Sequence, residues 1–116
     1  PLWQDEGLDS RVMSEQQTLF ANADGYAAVH DIVVGRCSMC HAREPVYDGI
    51  RRAPKQVYLE TEFDITAEAR AVFLQSAASH AMPPANVTWM EEGERAQIRR
   101  WFRNATEHMP LRVALQ

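Results

Sequence analysis

The sequence predicts an all-α domain, on three observations. Apolar residues recur at helical spacing in three segments: Tyr26, Val29, Ile32 and Val33; Ala69, Val72, Phe73 and Ala77; and Ile98, Trp101, Phe102 and Ala105. No run alternates convincingly at period two, the pattern of a half-buried strand. Capping residues stand near the start of each periodic segment. The 116 residues, 46% hydrophobic and 24% charged, suit one globular core. Five Gly and six Pro without a repeat exclude collagen-like, disordered and coiled-coil chains.

Each element follows in order. Residues 1–21 carry scattered apolar positions, Trp3, Leu8, Val12, Leu19 and Phe20, with weak periodicity. They read as an N-terminal linker or extension with one short helix, for which Ser14 and Gln17 offer a capping box. The domain proper is expected over residues 22–116. Its first helix is capped by Asn22 or Asp24 and buries the face that carries Tyr26, Val29, Ile32 and Val33. Residues 42–65 contain Pro45, Asp48-Gly49 and Pro54, and read as loop with turns. Thr66 opens the next helix and Pro83 ends it. Thr88-Trp89-Met90-Glu91 has the T-x-x-E pattern of a capping box for a last helix. Its charges agree with the helix dipole, Glu91, Glu92 and Glu94 coming early and Arg99, Arg100 and Arg103 late. Arg95, Arg99 and Arg103 share one helical edge and are expected to face solvent as partners of Glu91 and Glu92.

Charge narrows the function classes. Twelve basic residues, all arginine except Lys55, stand against sixteen acidic ones, for a net charge of −4. A protein built to neutralise nucleic-acid phosphates is excluded on that balance. The longest apolar runs, such as Ala71-Val72-Phe73-Leu74, fall far short of the roughly 18 residues of a membrane span. Position 1 is Pro and no signal-like segment follows, so a processed chain or an excised domain is expected.

The chemistry concentrates in Cys37-Ser38-Met39-Cys40-His41, which holds both cysteines of the chain. C-x-x-C-H is the attachment signature of a c-type haem. The two thiols add across the two vinyl groups on one porphyrin edge and form thioethers. The adjacent His41 then lies under the ring and offers its imidazole to the iron. Three other readings compete. A thioredoxin-like dithiol follows a β-strand in an α/β pattern, and none precedes Cys37. A zinc site needs four ligands, and His30, His80 and His108 lack the H-x₃₋₅-H spacing. A disulfide across two intervening residues would close too small a loop to stabilise much.

The second axial ligand is expected downstream. Of the five methionines, Met39 lies between the cysteines and cannot reach the far face of the ring. Met82 heads Met82-Pro83-Pro84, where two prolines hold the backbone extended. A thioether is a weak donor, and such a loop holds it in place, with Pro83 beside it against the cofactor. Met13, Met90 and Met109 read as core filler. His80 is the competitor, and would make a bis-His iron; His30 belongs to the helix that enters the cysteine motif.

These features together resemble a class I cytochrome c over about residues 22–106. The resemblance rests on an N-terminal helix running into C-x-x-C-H, a middle loop, the Met-Pro-Pro loop and a C-terminal amphipathic helix with an aromatic residue. The 41 residues from His41 to Met82 are similar to the separation in short bacterial members. The chain departs from the pattern in lacking Gly-x-x-x-aromatic before Cys37, where Val29 and Val33 stand instead. The resemblance implies terminal helices packed around one covalent haem c and its iron, with His41 and Met82 as axial ligands. It also implies attachment outside the cytoplasm, hence a periplasmic place for a bacterial chain.

Finer wording lies in Val34-Gly35-Arg36-Cys37-Ser38-Met39-Cys40-His41-Ala42, Ala53-Pro54-Lys55, Leu59-Glu60-Thr61 and Ala81-Met82-Pro83-Pro84-Ala85-Asn86-Val87-Thr88. It resembles the cytochrome domain at the C-terminal end of bacterial membrane-bound urate oxidases (urate hydroxylases). That likeness implies an electron-accepting domain whose partner is a membrane oxidase portion upstream of Pro1. A free periplasmic electron shuttle is the alternative, and a gas or peroxide site is a third if Met82 does not ligate. Nothing in these residues binds urate.

Around such a haem, Arg51 and Arg52 offer bidentate partners for the propionates, against a solvated pair as the alternative. Tyr47, Tyr58 and Trp89 offer further donors or packing. A carbonyl of Pro45 or Pro54 is expected to accept the second ring N–H of His41. With both axial positions filled, the iron has no place for substrate, so the domain is expected to move single electrons and not to be an enzyme itself. A methionine ligand favours ferrous iron and raises the potential.

Overall fold

The computed structural model describes residues 11–116; Trp3 and Leu8 of the expected extension lie outside them. The described residues form helices α1 (Glu15–Asn22), α2 (Tyr26–Arg36), α3 (Glu62–Ala67), α4 (Ala69–Ser76), α5 (Glu92–Glu107) and α6 (Leu111–Ala114), and no strand. Two single-turn 3₁₀ segments, Pro54–Gln56 and Pro84–Asn86, punctuate the loops. The all-α expectation holds. No described helix is long and apolar enough to cross a membrane.

The three apolar stripes form the core. Val29, Ile32 and Val33 of α2 meet Ala69 and Val72 of α4 and Ile98, Trp101 and Ala105 of α5, all buried. Phe73 and Phe102 stack with ring centroids 4.2 Å apart. Met90 is buried in this core and Met109 packs against it, as expected of filler; Met13 lies at the α3 surface, its sulfur 3.6 Å from the Thr66 hydroxyl.

α1 joins the same core. Ser14 and Gln17 make the expected reciprocal cap, Gln17 N–H on the Ser14 hydroxyl at 3.1 Å and Ser14 N–H on the Gln17 side chain at 3.0 Å. Phe20 is fully buried, and the Trp101 indole N–H donates to its carbonyl at 2.8 Å. The boundary expected at residue 22 coincides with the last residue of α1.

Three helix starts differ from expectation. α2 is capped at Gly25, not Asn22 or Asp24. The chain turns there with φ +94°, a left-handed conformation that glycine adopts freely. A Cβ on Gly25 would also lie 3.6 Å from that of Trp101, so the residue sits where α2 meets α5. Thr66 does not open a helix: Thr61 caps α3 through a reciprocal pair with Asp64, and the buried Thr66 hydroxyl donates back to the Glu62 carbonyl at 2.7 Å. α4 stops at Ser76, well before Pro83, as Ala77 and Ala78 N–H both turn onto the Phe73 carbonyl. Thr88 does not cap α5. Its hydroxyl is taken by the Arg36 carbonyl at 2.7 Å, and Glu94 instead accepts from the Glu91 N–H at 2.9 Å.

Candidate functional site

α2 delivers the cysteine motif to the edge of the core. Cys37 N–H closes the last turn on the Val33 carbonyl at 2.8 Å. Cys40 and His41 N–H then both bond the Cys37 carbonyl, at 3.2 and 2.9 Å. This tight turn brings Cys37, Cys40 and His41 into one group. Val46 and Tyr47 N–H hold its far side through the Met39 carbonyl, at 3.1 and 2.9 Å. Both cysteines are free thiols.

The segment 57–64 holds the histidine at its ring and its carbonyl, and holds Arg43 two residues on. His41 Nδ1 donates to the Val57 carbonyl at 2.8 Å. A carbonyl only accepts, so Nδ1 carries a proton and Nε2 is the ring atom left for a metal. The expected acceptors were Pro45 and Pro54. Val57 takes the role because the Pro54 carbonyl already accepts from Val57 N–H in a 3₁₀ turn, at 3.1 Å, which swings the next carbonyl toward the ring. Leu59 N–H bonds the His41 carbonyl at 2.6 Å. Arg43, two residues on, reaches Glu60 at 2.8 Å and both oxygens of Asp64, at 2.8 and 2.9 Å.

Met82 is half-buried, and its loop is tied at both ends. Its N–H donates to the Gln75 carbonyl at 2.7 Å, and its carbonyl accepts from Arg95 Nη1 at 3.0 Å. Pro83 beside it is buried, joined to Met82 by a cis peptide. The loop's other end meets the cysteine motif: Arg36, next to Cys37, donates to the Thr88 carbonyl at 2.9 Å and to Glu94 at 3.1 Å. His80, the competing ligand, has its Nε2 on exposed Glu92 at 2.9 Å.

Arg51 and Arg52 are both exposed, and neither has a hydrogen bond or ion pair among the described residues. Tyr58 lies under the Arg43 guanidinium, 4.7 Å from its centre. Trp89 is 77% exposed. Arg95 keeps Glu92 as an ion-pair partner at 3.9 Å, but it is not solvent-facing: it is 2% exposed. A signal existed, because position 95 lies three residues before Ile98 and extends the stripe of Ile98, Trp101 and Ala105 by one turn.

Burial disfavours the thiolate form of both cysteines. Burial, with the Cys40 thiol adding to it and the Arg95 charge opposing, pushes the Cys37 thiol up to about 12. Burial also raises Cys40. Thiol–disulfide exchange is favoured by a lowered thiol pKa, and both shifts here run the other way. Among the described residues no three of His, Cys, Asp and Glu come together as a metal-ligating group, which a zinc site would require. Two thiols in one turn, an imidazole bonded through Nδ1 and, on a separate braced loop, a half-exposed thioether are residue types that a c-type haem uses. Compared with protein-family models, curated proteins and solved structures, the chain has no match.

Proposed function

We propose that this domain transfers single electrons through one covalently attached c-type haem, in the manner of a class I cytochrome c. Cys37 and Cys40 are the thioether anchors, and His41 and Met82 the axial ligands. The carrying observation is the orientation of His41 beside the two thiols, Nδ1 bonded to the Val57 carbonyl at 2.8 Å and Nε2 left as a donor. Bound haem supplies an iron that cycles between ferric and ferrous states, and the chain's residues govern that couple. The Val57 carbonyl makes the imidazole a better donor. The buried faces of Val33 and Leu59 exclude water nearby, which disfavours the charged ferric form. Arg51 and Arg52 are the proposed propionate partners, with Pro83 packed against the ring.

The proposed setting is the periplasm, and the proposed electron donor is the membrane portion of a urate oxidase, on the strength of the loop wording, which resembles that of such enzymes. The upstream gene tests that setting: several hydrophobic spans before Pro1 support it, and a signal peptide alone favours a free shuttle. The haem itself is tested by producing the chain with and without c-type maturation machinery. Haem that stays on the polypeptide in acidified organic solvent, only with that machinery, is the expected result. Haem-free protein in both cases overturns the proposal.

A further inference from the structure

α5 buries a charge in its apolar stripe, and the reason lies in the loop across from it. Burying a guanidinium is costly unless its donors are satisfied. Arg95 Nη1 donates to the Ser76 carbonyl at 2.6 Å and to the Met82 carbonyl at 3.0 Å, and Nη2 reaches Oδ1 of Asn86 at 3.4 Å. The nearest carboxylate, Glu92, is 3.9 Å from Nε and itself largely exposed. The short contacts of the charge are thus to carbonyl oxygens, and its one ion pair is long and reaches an exposed carboxylate. Asn86 in turn clasps Met90, accepting from its N–H at 2.9 Å and donating to its carbonyl at 3.0 Å. One side chain therefore joins the end of α4, the backbone of Met82 and the amide that fastens the loop to Met90, just ahead of α5.

Resting on the His41/Met82 haem reading, we propose that Arg95 is a positioning residue for the axial methionine. It fixes the Met82 backbone so that a weak sulfur donor competes with free ligands for the iron. A thioether on a loose loop would be present at the iron only part of the time. An exogenous ligand would then bind more tightly in proportion to the fraction of loop that has left. The role is the fork's as well as the charge's, because three acceptors must be met at once.

The test is imidazole binding to the ferric haem protein. Arg95→Met and Arg95→Lys should each raise imidazole affinity about tenfold or more, the factor expected for losing a charge-assisted hydrogen bond to the loop. Both should weaken the long-wavelength sulfur-to-iron band. Lysine keeps the charge but not the fork, so wild-type behaviour in Arg95→Lys would overturn the positioning role. Ile98→Val loosens the same helix one turn on and should lower thermal stability with imidazole affinity unchanged. An equal rise there would make Arg95 merely structural, which also overturns the proposal. Should Arg95→Met fail to fold, Arg95→Lys against Ile98→Val decides. Wild type with no sulfur band, unaltered by Met82→Ala, defeats the haem-ligand reading itself; wild type with the band and unaffected Arg95 variants defeats only this proposal.

Discussion

Arg43 and Asp64 form a two-pronged ion pair, Nη1 on Oδ2 at 2.8 Å and Nη2 on Oδ1 at 2.9 Å. It fastens the residue two beyond His41 to the first turn of α3. Arg11 adds a third bond to the same carboxylate at 3.1 Å, and Glu60 and Thr61 N–H each donate to it at 3.2 Å. The pair closes the bracket around the histidine that Val57 and Leu59 begin.

Acid should open that bracket. Burial pushes the Asp64 carboxyl up, but the bonds from Arg43, Glu60 N–H, Arg11 and Thr61 N–H outweigh it and bring it from 3.8 down to about 2. The folded chain therefore binds its proton less readily than the unfolded chain does. The stabilisation is fully present above about pH 5 and is lost as pH falls through the window toward 2. Its size is on the order of 2 kcal/mol. Denaturant midpoints of wild type and Asp64→Asn should accordingly differ at neutral pH and converge near pH 2. A constant difference across that range would show that the carboxylate is not the group responsible.

Replacing Cys37 and Cys40 together by alanine should release haem into acidified organic solvent, whereas wild type retains it. In so small a domain a bound cofactor supplies much of the stabilisation through its preference for the folded chain. Circular dichroism of the double variant should show reduced helix. Helix content equal to that of haem-loaded wild type would contradict a structural role for the haem.

At the distal side the expected difference is between Met82 and His80. Met82→Ala should abolish the sulfur-to-ferric-iron band and admit carbon monoxide to the ferrous iron. Met82→His should keep six ligands and lower the reduction potential, since imidazole stabilises ferric iron better than a thioether. His80→Ala should do neither, its ring being engaged with Glu92 at the surface. If His80→Ala were the variant that opened the iron, the coordination would be bis-His.

Phe20 tests whether α1 belongs to the domain. Its ring is fully buried, 5.5 Å from those of both Trp101 and Phe102. Phe20→Ala should cost about 3–5 kcal/mol in urea unfolding, as for other large buried aromatics. A cost below about 1 kcal/mol, within the range of surface substitutions, would instead support residues 11–21 as part of a linker.

The parts of this protein legible in its sequence are those set by near neighbours. The buried faces of α2, α4 and α5 follow from spacing, because a helix presents the same side every three or four residues. The adjacency of Cys37, Cys40 and His41 is likewise local, a matter of one turn, and the haem proposal draws its chemistry from there. The Ser14–Gln17 cap spans three residues and was equally readable. Long-range partners were not. Val57 replaces the two prolines at His41, Thr88 gives its hydroxyl to Arg36 instead of to α5, and Arg95 turns inward to Met82 and Ser76. Each of these depends on which unsatisfied carbonyl or hydroxyl arrives from a distant segment when the helices pack. A buried polar group must find a partner, but only the assembled chain decides which one is within reach.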